Sequence, residues 1–471
     1  MVFSSLEFLF FFLPATLLLY FILPMRYRNL GLFAVSIVFY GFGEIRYVAL
    51  MMITLAFDYA CGFFIYASKS PKRQKAVLIF SVTVNVLILV FFKYFDFIAA
   101  ELSGLGLTVR PLGLALPVGI SFYTFQCLSY VVDVYRENAL CQKNFVSFGA
   151  YITMFPQLVA GPIVRYCEIA PRLESRRHTV AECIVGLRRF SAGLAKKVLL
   201  GNTAGAMWER FASAVTGERS TFGAYLGVVC FTLQIYFDFS GYSDMAIGLG
   251  HVFGFRLPEN FNYPYTAKSA TDFWRRWHIT LSSFFREYVY IPLGGNRRGK
   301  MRTYLNLFAV WLLTGLWHGA ARNFLVWGIY WFLLIASEKA FLARILEKTP
   351  KILRHAYSLT AIAFGWVIFA FDGSESYLSA RMGLSYVKDM LGLSGVPLAS
   401  ASELYFFVRA LPFFACAFVA CTPLFRRAFY SLYEKSAACD VISALLCPAS
   451  LVLCTAFLVG ASYNPFLYFR F

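Results

Sequence analysis

The chain has few charged residues and lacks the short motifs of several common enzyme classes. Only 14% of its 471 residues are charged, 59% are hydrophobic and 19% are aromatic, and the mean hydropathy is +0.63. A soluble domain carries about a quarter charged residues, so this composition excludes an ordinary water-soluble fold. The sequence has no G-x-S-x-G elbow, no P-loop and no G-x-G-x-x-G, which excludes the usual hydrolase, nucleotide-hydrolysing and dinucleotide-binding signatures.

The eleven cysteines also lack the spacing of a metal site. There is no C-x-x-C pair and no His/Cys cluster with zinc spacing. Several cysteines, including Cys416 and Cys454, lie in apolar stretches, where we expect them to act as small hydrophobic residues. We therefore expect no metal.

Long apolar runs dominate the sequence. A helix that crosses a bilayer needs about 20 mostly apolar residues, and barrel strands would alternate in hydrophobicity instead. We predict an all-α polytopic membrane protein in one domain, residues 1–471. We expect a multi-helix bundle of about 9 to 12 membrane-crossing or membrane-inserted helices, plus interfacial or re-entrant ones. The N-terminal run lacks the basic start and cleavage site of a signal peptide, which predicts a retained first helix.

The apolar runs after the first lie at roughly the following positions: Leu30–Gly43, Tyr47–Ala67, Ala76–Ala99, Pro117–Val134, Phe145–Val164, Phe222–Phe237, Leu305–Leu316, Phe324–Ile335, Tyr357–Phe371, Phe406–Pro423 and Val441–Val459. Several are shorter than a full span, so we expect some helices to be tilted, re-entrant or kinked. The more polar segment Pro258–Arg302 is amphipathic and rich in aromatic residues. It predicts an interfacial or partly submerged helix.

The net charge of +18 comes from short basic clusters between the apolar runs, such as Lys69–Lys75 and Arg297–Lys300. In a membrane protein this pattern is typical of cytoplasmic loops. Binding to anionic lipid head groups or to an anionic cofactor is the alternative. We expect membrane lipids as neighbours and no nucleic acid as a partner.

His318 is the first candidate for chemistry. It lies in an apolar stretch with no charged residue between Arg302 and Arg322. An ionisable group inside a membrane segment is costly and is a functional candidate by default. The small residues Gly315 and Gly319 would let another chain or a substrate approach the backbone. A structural histidine bonded to a neighbouring helix is the alternative.

His278 is the second candidate, within the segment Asp272–Ser282. Arginine forks bind phosphate or carboxylate, and aromatic faces stack on a base or a sugar. The segment therefore suits the positioning of a donor or an acceptor, although an interfacial helix anchored by Trp and Arg explains the same residues. The positioning candidates are Trp274, Arg275, Arg276 and Trp277.

Asp238 and Asp244 form the third candidate group, at the end of another apolar run. Two carboxylates among several hydroxyl groups suggest the wall of a polar cavity. They could orient a histidine, hold an arginine such as Arg275 or cap a helix. A structural ion pair is the alternative.

Three motifs together resemble the membrane-bound O-acyltransferase superfamily, and within it the bacterial alginate (polysaccharide) O-acetyltransferase membrane subunits. These motifs are Phe273-Trp-Arg-Arg-Trp-His-Ile-Thr-Leu-Ser282, Leu293-Gly-Gly-Asn-Arg-Arg-Gly299 and Gly315-Leu-Trp-His-Gly-Ala320. The segment Tyr236–Gly248 is especially close. The resemblance runs from the first residues to the last.

The resemblance implies a bundle with a central tunnel and a catalytic His318, with His278 as a second functional histidine. It also implies positioning roles for Trp317 and Asn296, which lie in the matching motifs. The donor would be acetyl-CoA or another acyl thioester on the cytoplasmic side of the cell (inner) membrane. The acetyl group would pass to an extracytoplasmic polysaccharide such as alginate, directly or through a partner acetyltransferase outside the membrane.

The aromatic C-terminus, Asn464–Phe471, resembles a tail in related D-alanylation machinery. The analogy implies that Tyr468 accepts the acyl group and hands it on. An interfacial aromatic anchor is the alternative.

A histidine without a serine or cysteine elbow points to general-base activation of the substrate's own hydroxyl group. We expect His318 to take a proton from the acceptor, while His278 or Arg275 positions the donor and stabilises the oxyanion. A membrane transporter or flippase with a histidine proton relay and a non-catalytic scaffold for an exopolysaccharide-modifying complex are the rival interpretations.

Overall fold

The computed structural model describes residues 1–214, 219–373, 378–433, 438–460 and 467. Within these ranges the regular structure is entirely helical, with no β-strand. This confirms the predicted all-α fold class. The central tunnel and the single domain covering residues 1–471 stay predictions.

The chain folds as two compact units, and unit 1 comprises Met1–Phe190 and Tyr242–Glu259. In its aromatic core the Phe3 ring stacks on Tyr242 at a centroid distance of 4.4 Å and on Phe8 at 4.7 Å. Stacked rings bury a large apolar area, which ties the N-terminal residues into this unit. Its α-helices are Leu13–Ile22, Arg28–Ala67, Pro71–Gly104, Ile120–Tyr135, Phe145–Thr153, Phe155–Leu158 and Tyr166–Glu174, with a π-helical turn at Phe8–Phe12 and a 3₁₀ turn at Met25–Tyr27.

Unit 2 comprises Ser191–Gly241 and Asn260–Phe471. Its α-helices are Asn202–Ala212, Ala270–Trp274, Ile279–Phe285, Lys300–His318, Arg322–Ser337, Ala343–Lys348, Lys351–Ala370, Ala380–Met390, Ala401–Ala420, Leu424–Tyr433 and Ala438–Gly460. Shorter turns are π-helical at Lys196–Gly201, Arg286–Tyr290 and Glu338–Leu342, and 3₁₀ at Pro264–Thr266. Two further helices, Val180–Ala195 and Thr221–Val252, contribute residues to both units.

Six helices in the described ranges are long and apolar enough to cross a membrane: Met25–Ala67, Pro71–Gly104, Thr221–Val252, Arg322–Lys348, Lys351–Ala370 and Ala401–Ala420. Two shorter apolar helices, Phe8–Ile22 and Ala444–Gly460, accompany them. The sequence estimate of about 9 to 12 helices also counted membrane-inserted segments too short to span, so it exceeds these six.

The apolar runs Leu30–Gly43 and Tyr47–Ala67 belong to one helix, Arg28–Ala67, and not to two separate elements. The backbone bends inside it at Glu44, whose φ of −144° and ψ of 52° are not helical. A straight helix of 40 residues would be about 60 Å long, twice the hydrocarbon thickness. The bend therefore divides the helix into two segments, as the polar residues between the runs suggest.

The segment Pro258–Arg302 differs from the interfacial helix that its composition predicts. It is broken into the short helices Ala270–Trp274 and Ile279–Phe285, and Trp274 and Trp277 are buried in the core of unit 2. A single helix was therefore the wrong expectation, because composition shows that a segment is amphipathic but does not show what covers its aromatic face. The interfacial or partly submerged location of the segment stays a prediction.

The helix Lys300–His318 packs tightly on the next helix, Arg322–Ser337. A Cβ atom added to Gly315 would lie 2.4 Å from the carbonyl oxygen of Phe324, and one added to Gly328 would lie 2.5 Å from that of Trp311. Such distances exclude any side chain at these two glycines. The small residues near His318 therefore let two helices of the same chain meet backbone to backbone, as membrane helices commonly do.

Candidate active site

His318 is the last residue of its helix and is only 7% exposed. Its ring packs edge to face against three aromatic rings, with centroid distances of 4.9 Å to Trp317, 4.9 Å to Trp327 and 5.1 Å to Phe369. The close backbone contact at Gly315 brings Trp327 and its helix to this position. The imidazole thus lies in a buried aromatic enclosure within unit 2.

His278 lies between the two short helices and has a left-handed backbone, with φ of 44°. Only a few per cent of residues other than glycine adopt positive φ, and such strain tends to cluster at functional sites. The preceding helix is held at its start by Ser269, which accepts from the N–H of Asp272, and by buried Glu338, which accepts from Ala270 and Thr271. These bonds fix the start of the helix that precedes His278.

Asn260 determines which nitrogen of His278 carries the proton. Its Oδ1 lies 3.0 Å from His278 Nδ1 and also accepts from the Thr280 hydroxyl at 2.9 Å and the Thr280 N–H at 3.3 Å. Because these contacts require an oxygen, the asparagine orientation is defined. Nδ1 of His278 therefore donates, and Nε2 of the neutral ring carries the lone pair.

His278 is 1% exposed, and among the residues that the structure describes its Nε2 has no hydrogen-bond partner. Burial lowers the pKa of His278 to about 3 because the charged form is disfavoured away from water. Its Nε2 is therefore a neutral acceptor above about pH 4. A neutral acceptor does not donate to an oxyanion, so this geometry favours a role for His278 in accepting a hydrogen bond.

The indole of Trp317 is in contact with both histidines. Its ring centroid lies 5.6 Å from that of His278 and 4.9 Å from that of His318. Phe239 covers another side of His278 at 4.8 Å, in a T-shaped contact. The two predicted histidines therefore belong to one buried cluster, which we call the histidine cluster: His278, Trp317 and His318.

The predicted tryptophans lie next to the histidine cluster as core residues. Trp274 packs against Trp327, the wall of His318, at a centroid distance of 5.4 Å and against Trp311 at 4.8 Å. Trp277 packs against Trp366 at 4.8 Å. These rings form the apolar surroundings of the histidines.

The two predicted arginines take different positions. Arg276 pairs with Asp272 one helical turn earlier, with 2.8 Å between Nε and Oδ1, and both side chains are about a third exposed. Arg275 is exposed. Neither forms a described hydrogen bond or ion pair with His278 or His318, so their role in binding a donor stays a prediction.

Asn296 is exposed, and its Oδ1 accepts from the Tyr290 hydroxyl and from Lys339 Nζ, the latter at 3.1 Å. Its positioning role also stays a prediction. Tyr468 lies outside the described residues.

The two aspartates are each held in an ion pair. In unit 2, Asp238 Oδ1 lies 2.6 Å from Lys197 Nζ. In unit 1, Asp244 Oδ1 lies 2.9 Å from Arg189, which also pairs with Glu259 at 2.5 Å. The contacts of Asp238 and Asp244 therefore agree with the structural ion pair that was the alternative to a cavity wall.

Sequence reasoning missed Asn260, Trp327 and Phe369. The only sequence signal for Asn260 is an amide in the stretch Pro258–Tyr263, shortly before the His278 motif. Trp327 and Phe369 read as ordinary residues of apolar helices. Within the described ranges no group of three or more His, Cys, Asp or Glu could hold a metal ion.

In its described residues the protein has several helices long enough to cross a membrane and, in unit 2, two buried histidines, one of which offers a neutral acceptor nitrogen. Comparison with known proteins places it more closely. The model of the MBOAT, membrane-bound O-acyltransferase family matches residues 32–380.

Three curated relatives are similar over most of their length. The chain is 42% identical to the protein named "Probable alginate O-acetylase AlgI" of Pseudomonas syringae pv. tomato, over 78% of this chain and 72% of that one. It is 36% identical to the protein of the same name from Pseudomonas putida, over the whole of both chains. It is 35% identical to the "Peptidoglycan O-acetyltransferase" of Helicobacter pylori, over 86% of this chain and 82% of that one.

The chain therefore belongs to the membrane-bound O-acyltransferase family and is an O-acyltransferase. Together with the family, the six long apolar helices found in the described part of the chain indicate a multi-pass membrane protein. This confirms the family resemblance read from the motifs, and an acyl donor is implied by the family.

Proposed function

We propose that this protein O-acetylates an extracytoplasmic polysaccharide such as alginate, taking acetyl from acetyl-CoA or another thioester on the cytoplasmic side of the inner membrane. The names of the alginate and peptidoglycan relatives support a polysaccharide acceptor. The observation that carries the site is the contact of Trp317 with both buried histidines. The acetyl group passes to the acceptor directly or through a partner acetyltransferase outside the membrane.

His318 is the general base. It takes the proton of the attacking hydroxyl as the new C–O bond forms, and the C–S bond of the thioester then breaks. The protonated His318 returns that proton to the thiolate leaving group. The aromatic enclosure keeps water away from the imidazole, which limits loss of the acyl group by hydrolysis.

His278 positions a reactant. Its Nε2 accepts a hydrogen bond from a hydroxyl or amide N–H of the donor or the acceptor, while Asn260 holds the ring. A reactant bound in this way is already aligned for attack, so no further entropy is lost in orienting it at the reaction step. Tyr468 is proposed to carry the acetyl group: its phenol oxygen attacks the thioester and forms an ester as the thiol leaves, and a hydroxyl of the final acceptor then takes the acetyl group and releases the phenol.

The test is incubation of the purified protein with a labelled acetyl thioester and a soluble polysaccharide. His318→Ala should lower the transfer rate at least about a hundredfold, while the protein still inserts and elutes as wild type in detergent. The matched control is His355→Ala, because His355 is bound to the Ala267 carbonyl and has no proposed part in the reaction; this variant should retain transfer.

Transfer at the wild-type rate by His318→Ala would contradict the assignment of the base. Movement of unmodified polysaccharide without acetylation would indicate a transporter or flippase. Acetylation only on addition of an extracytoplasmic transferase, unaffected by His318→Ala, would indicate a scaffold.

A further inference from the structure

Lys197 and Asp238 form a buried ion pair in unit 2. Lys197 Nζ lies 2.6 Å from Asp238 Oδ1, and the side chains are 1% and 4% exposed. Lys197 also donates to Asn202 Oδ1 at 2.6 Å. Asp238 lies in the candidate membrane span Thr221–Val252, where a charge is expensive to bury even when paired. Stability alone is a weak reason for such a pair.

The backbones on either side of this pair are in close contact. A Cβ atom added to Gly201 would lie 3.1 Å from the backbone nitrogen of Asp238, and one added to Gly241 would lie 2.9 Å from that of Lys197. The turn Lys196–Gly201 therefore lies directly against the long helix. The carboxylate consequently has a narrowly defined position.

The second carboxylate oxygen is used differently. Asp238 Oδ2 accepts the backbone N–H of Leu467 at 2.8 Å, in a buried bond, and Leu467 is 6% exposed. A hydrogen bond to an ionised acceptor is roughly twice as strong as a neutral one. One oxygen is thus held by Lys197, while the other holds a residue near the C-terminus.

We propose that Asp238 is a positioning residue that anchors the C-terminal segment at Leu467, with Lys197 orienting its carboxylate for that bond. Leu467 directly precedes Tyr468, and consecutive Cα atoms are about 3.8 Å apart. Under this proposal, loss of the anchor at Leu467 should slow any transfer that passes through Tyr468. The effect on acetyl transfer rests on the proposed role of Tyr468, whereas the anchoring itself rests on the contacts of Asp238.

The test compares two double variants of the full-length protein, Lys197→Met with Asp238→Asn and Lys197→Met with Asp238→Leu. Both remove both charges, and replacing a buried ion pair by neutral groups of similar volume is commonly neutral or stabilising. Asparagine keeps a carbonyl oxygen that can accept the Leu467 N–H, whereas leucine does not. The two variants therefore differ by one acceptor for the C-terminal segment.

Hydrogen–deuterium exchange of the C-terminal peptide, measured in detergent after quench and digestion, is the readout. The peptide should be protected in the wild type and in the asparagine variant, and should exchange at least about tenfold faster in the leucine variant. Peptides from the helix Lys300–His318 should exchange alike in all three proteins. Equal exchange of the C-terminal peptide in both variants would overturn the proposal.

Acetyl transfer is then measured on the same proteins and on Tyr468→Phe. A slower rate in the leucine variant than in the asparagine variant, together with a slow Tyr468→Phe, supports positioning of Tyr468 by Asp238. If Tyr468→Phe transfers at the wild-type rate, the acyl-carrying role of Tyr468 fails. Faster exchange in the leucine variant would still support the anchor in that case.

Discussion

His178 in unit 1 and His278 in unit 2 use their ring nitrogens in opposite ways. Arg28 donates to Nδ1 of the half-buried His178 at 3.0 Å, and its Nε2 lies 3.1 Å from the carbonyl oxygen of Phe253 and 2.9 Å from the Tyr20 hydroxyl. Both nitrogens are satisfied, so His178 carries its proton on Nε2. His278 carries its proton on Nδ1 and keeps Nε2 open, with no partner among the described residues.

Under the proposed mechanism, the difference separates a structural histidine, His178, from a functional one, His278. A buried acceptor without a partner costs about 1–3 kcal/mol, which a merely structural position would avoid by supplying a donor, as unit 1 does for His178. The cost at His278 is accounted for if a reactant supplies the missing hydrogen bond. Burial by itself does not distinguish the two histidines, and the difference between them is the open Nε2 of His278 next to Trp317 and His318.

Among the tests of the difference between His178 and His278, substitution of Asn260, the partner of His278, should change activity most. In Asn260→Leu, Nδ1 of His278 loses its acceptor, so neither the position of the proton nor the orientation of the ring is fixed. The value of kcat should fall by about tenfold to a hundredfold, because a positioned acid–base group contributes a factor on the order of 10² or more. Asn260→Asp should retain the Nδ1 bond, and its charge should raise the pKa of His278. The acid limb of the pH–rate profile should then move to higher pH.

Steady-state kinetics of the two Asn260 variants across pH 5 to 9 provide the measurement. A purely structural role would lower protein yield and stability without moving the pH profile. A wild-type kcat in Asn260→Leu would contradict the proposal that the reaction needs the His278 proton fixed on Nδ1.

The next largest effect is the dependence of the folding stability on pH, through the protonation of His278. The pKa of His278 is about 3 in the folded protein and 6.5 unperturbed, so the unfolded chain binds the additional proton. Stability is then fully present above pH 6.5 and is lost as the pH falls towards the folded value. Between pH 7 and pH 5 the loss from this group should be about 2 kcal/mol.

Melting curves of wild type and His278→Gln in one detergent at both pH values check this. The variant should lose less stability on acidification, because glutamine does not titrate. Equal losses would show that His278 is not held neutral by burial.

The smallest effect is expected at His178. His178→Gln removes hydrogen bonds to Arg28 and Phe253 on a partly exposed site, so stability should fall by about 1 kcal/mol. Acetyl transfer should stay within a factor of two of the wild type, because both nitrogens of this ring are already satisfied. A large loss of activity with unchanged stability would break the contrast between the two histidines.

Much of the general picture follows from the chain as written. The apolar runs predict a helical membrane protein because helices satisfy backbone hydrogen bonds in lipid. His318 stands out because an ionisable residue within such a run is expensive. The motifs around His278 and His318 identify the family. The family resemblance gives a reason to expect His278 and His318 in one cluster. It does not predict that Trp317 contacts both of them.

Other features arise only from contacts between distant parts of the chain. Two apolar runs belong to one helix with a bend at Glu44. The amphipathic segment after Pro258 forms short helices, and tryptophans of other helices cover its aromatic face. Asn260 looks like any loop amide until Thr280 and His278 are brought to its oxygen. No local pattern predicts that arrangement.

The sequence alone therefore determined the class of the protein, its apolar helices and the two histidines, because these depend on transfer energies and motifs that are local in the chain. The tertiary structure alone decided which histidine nitrogen is open and which carboxylate oxygen holds Leu467. Hydrogen bonds depend on distances of about 3 Å and on direction, and such distances between remote residues exist only once the helices have packed.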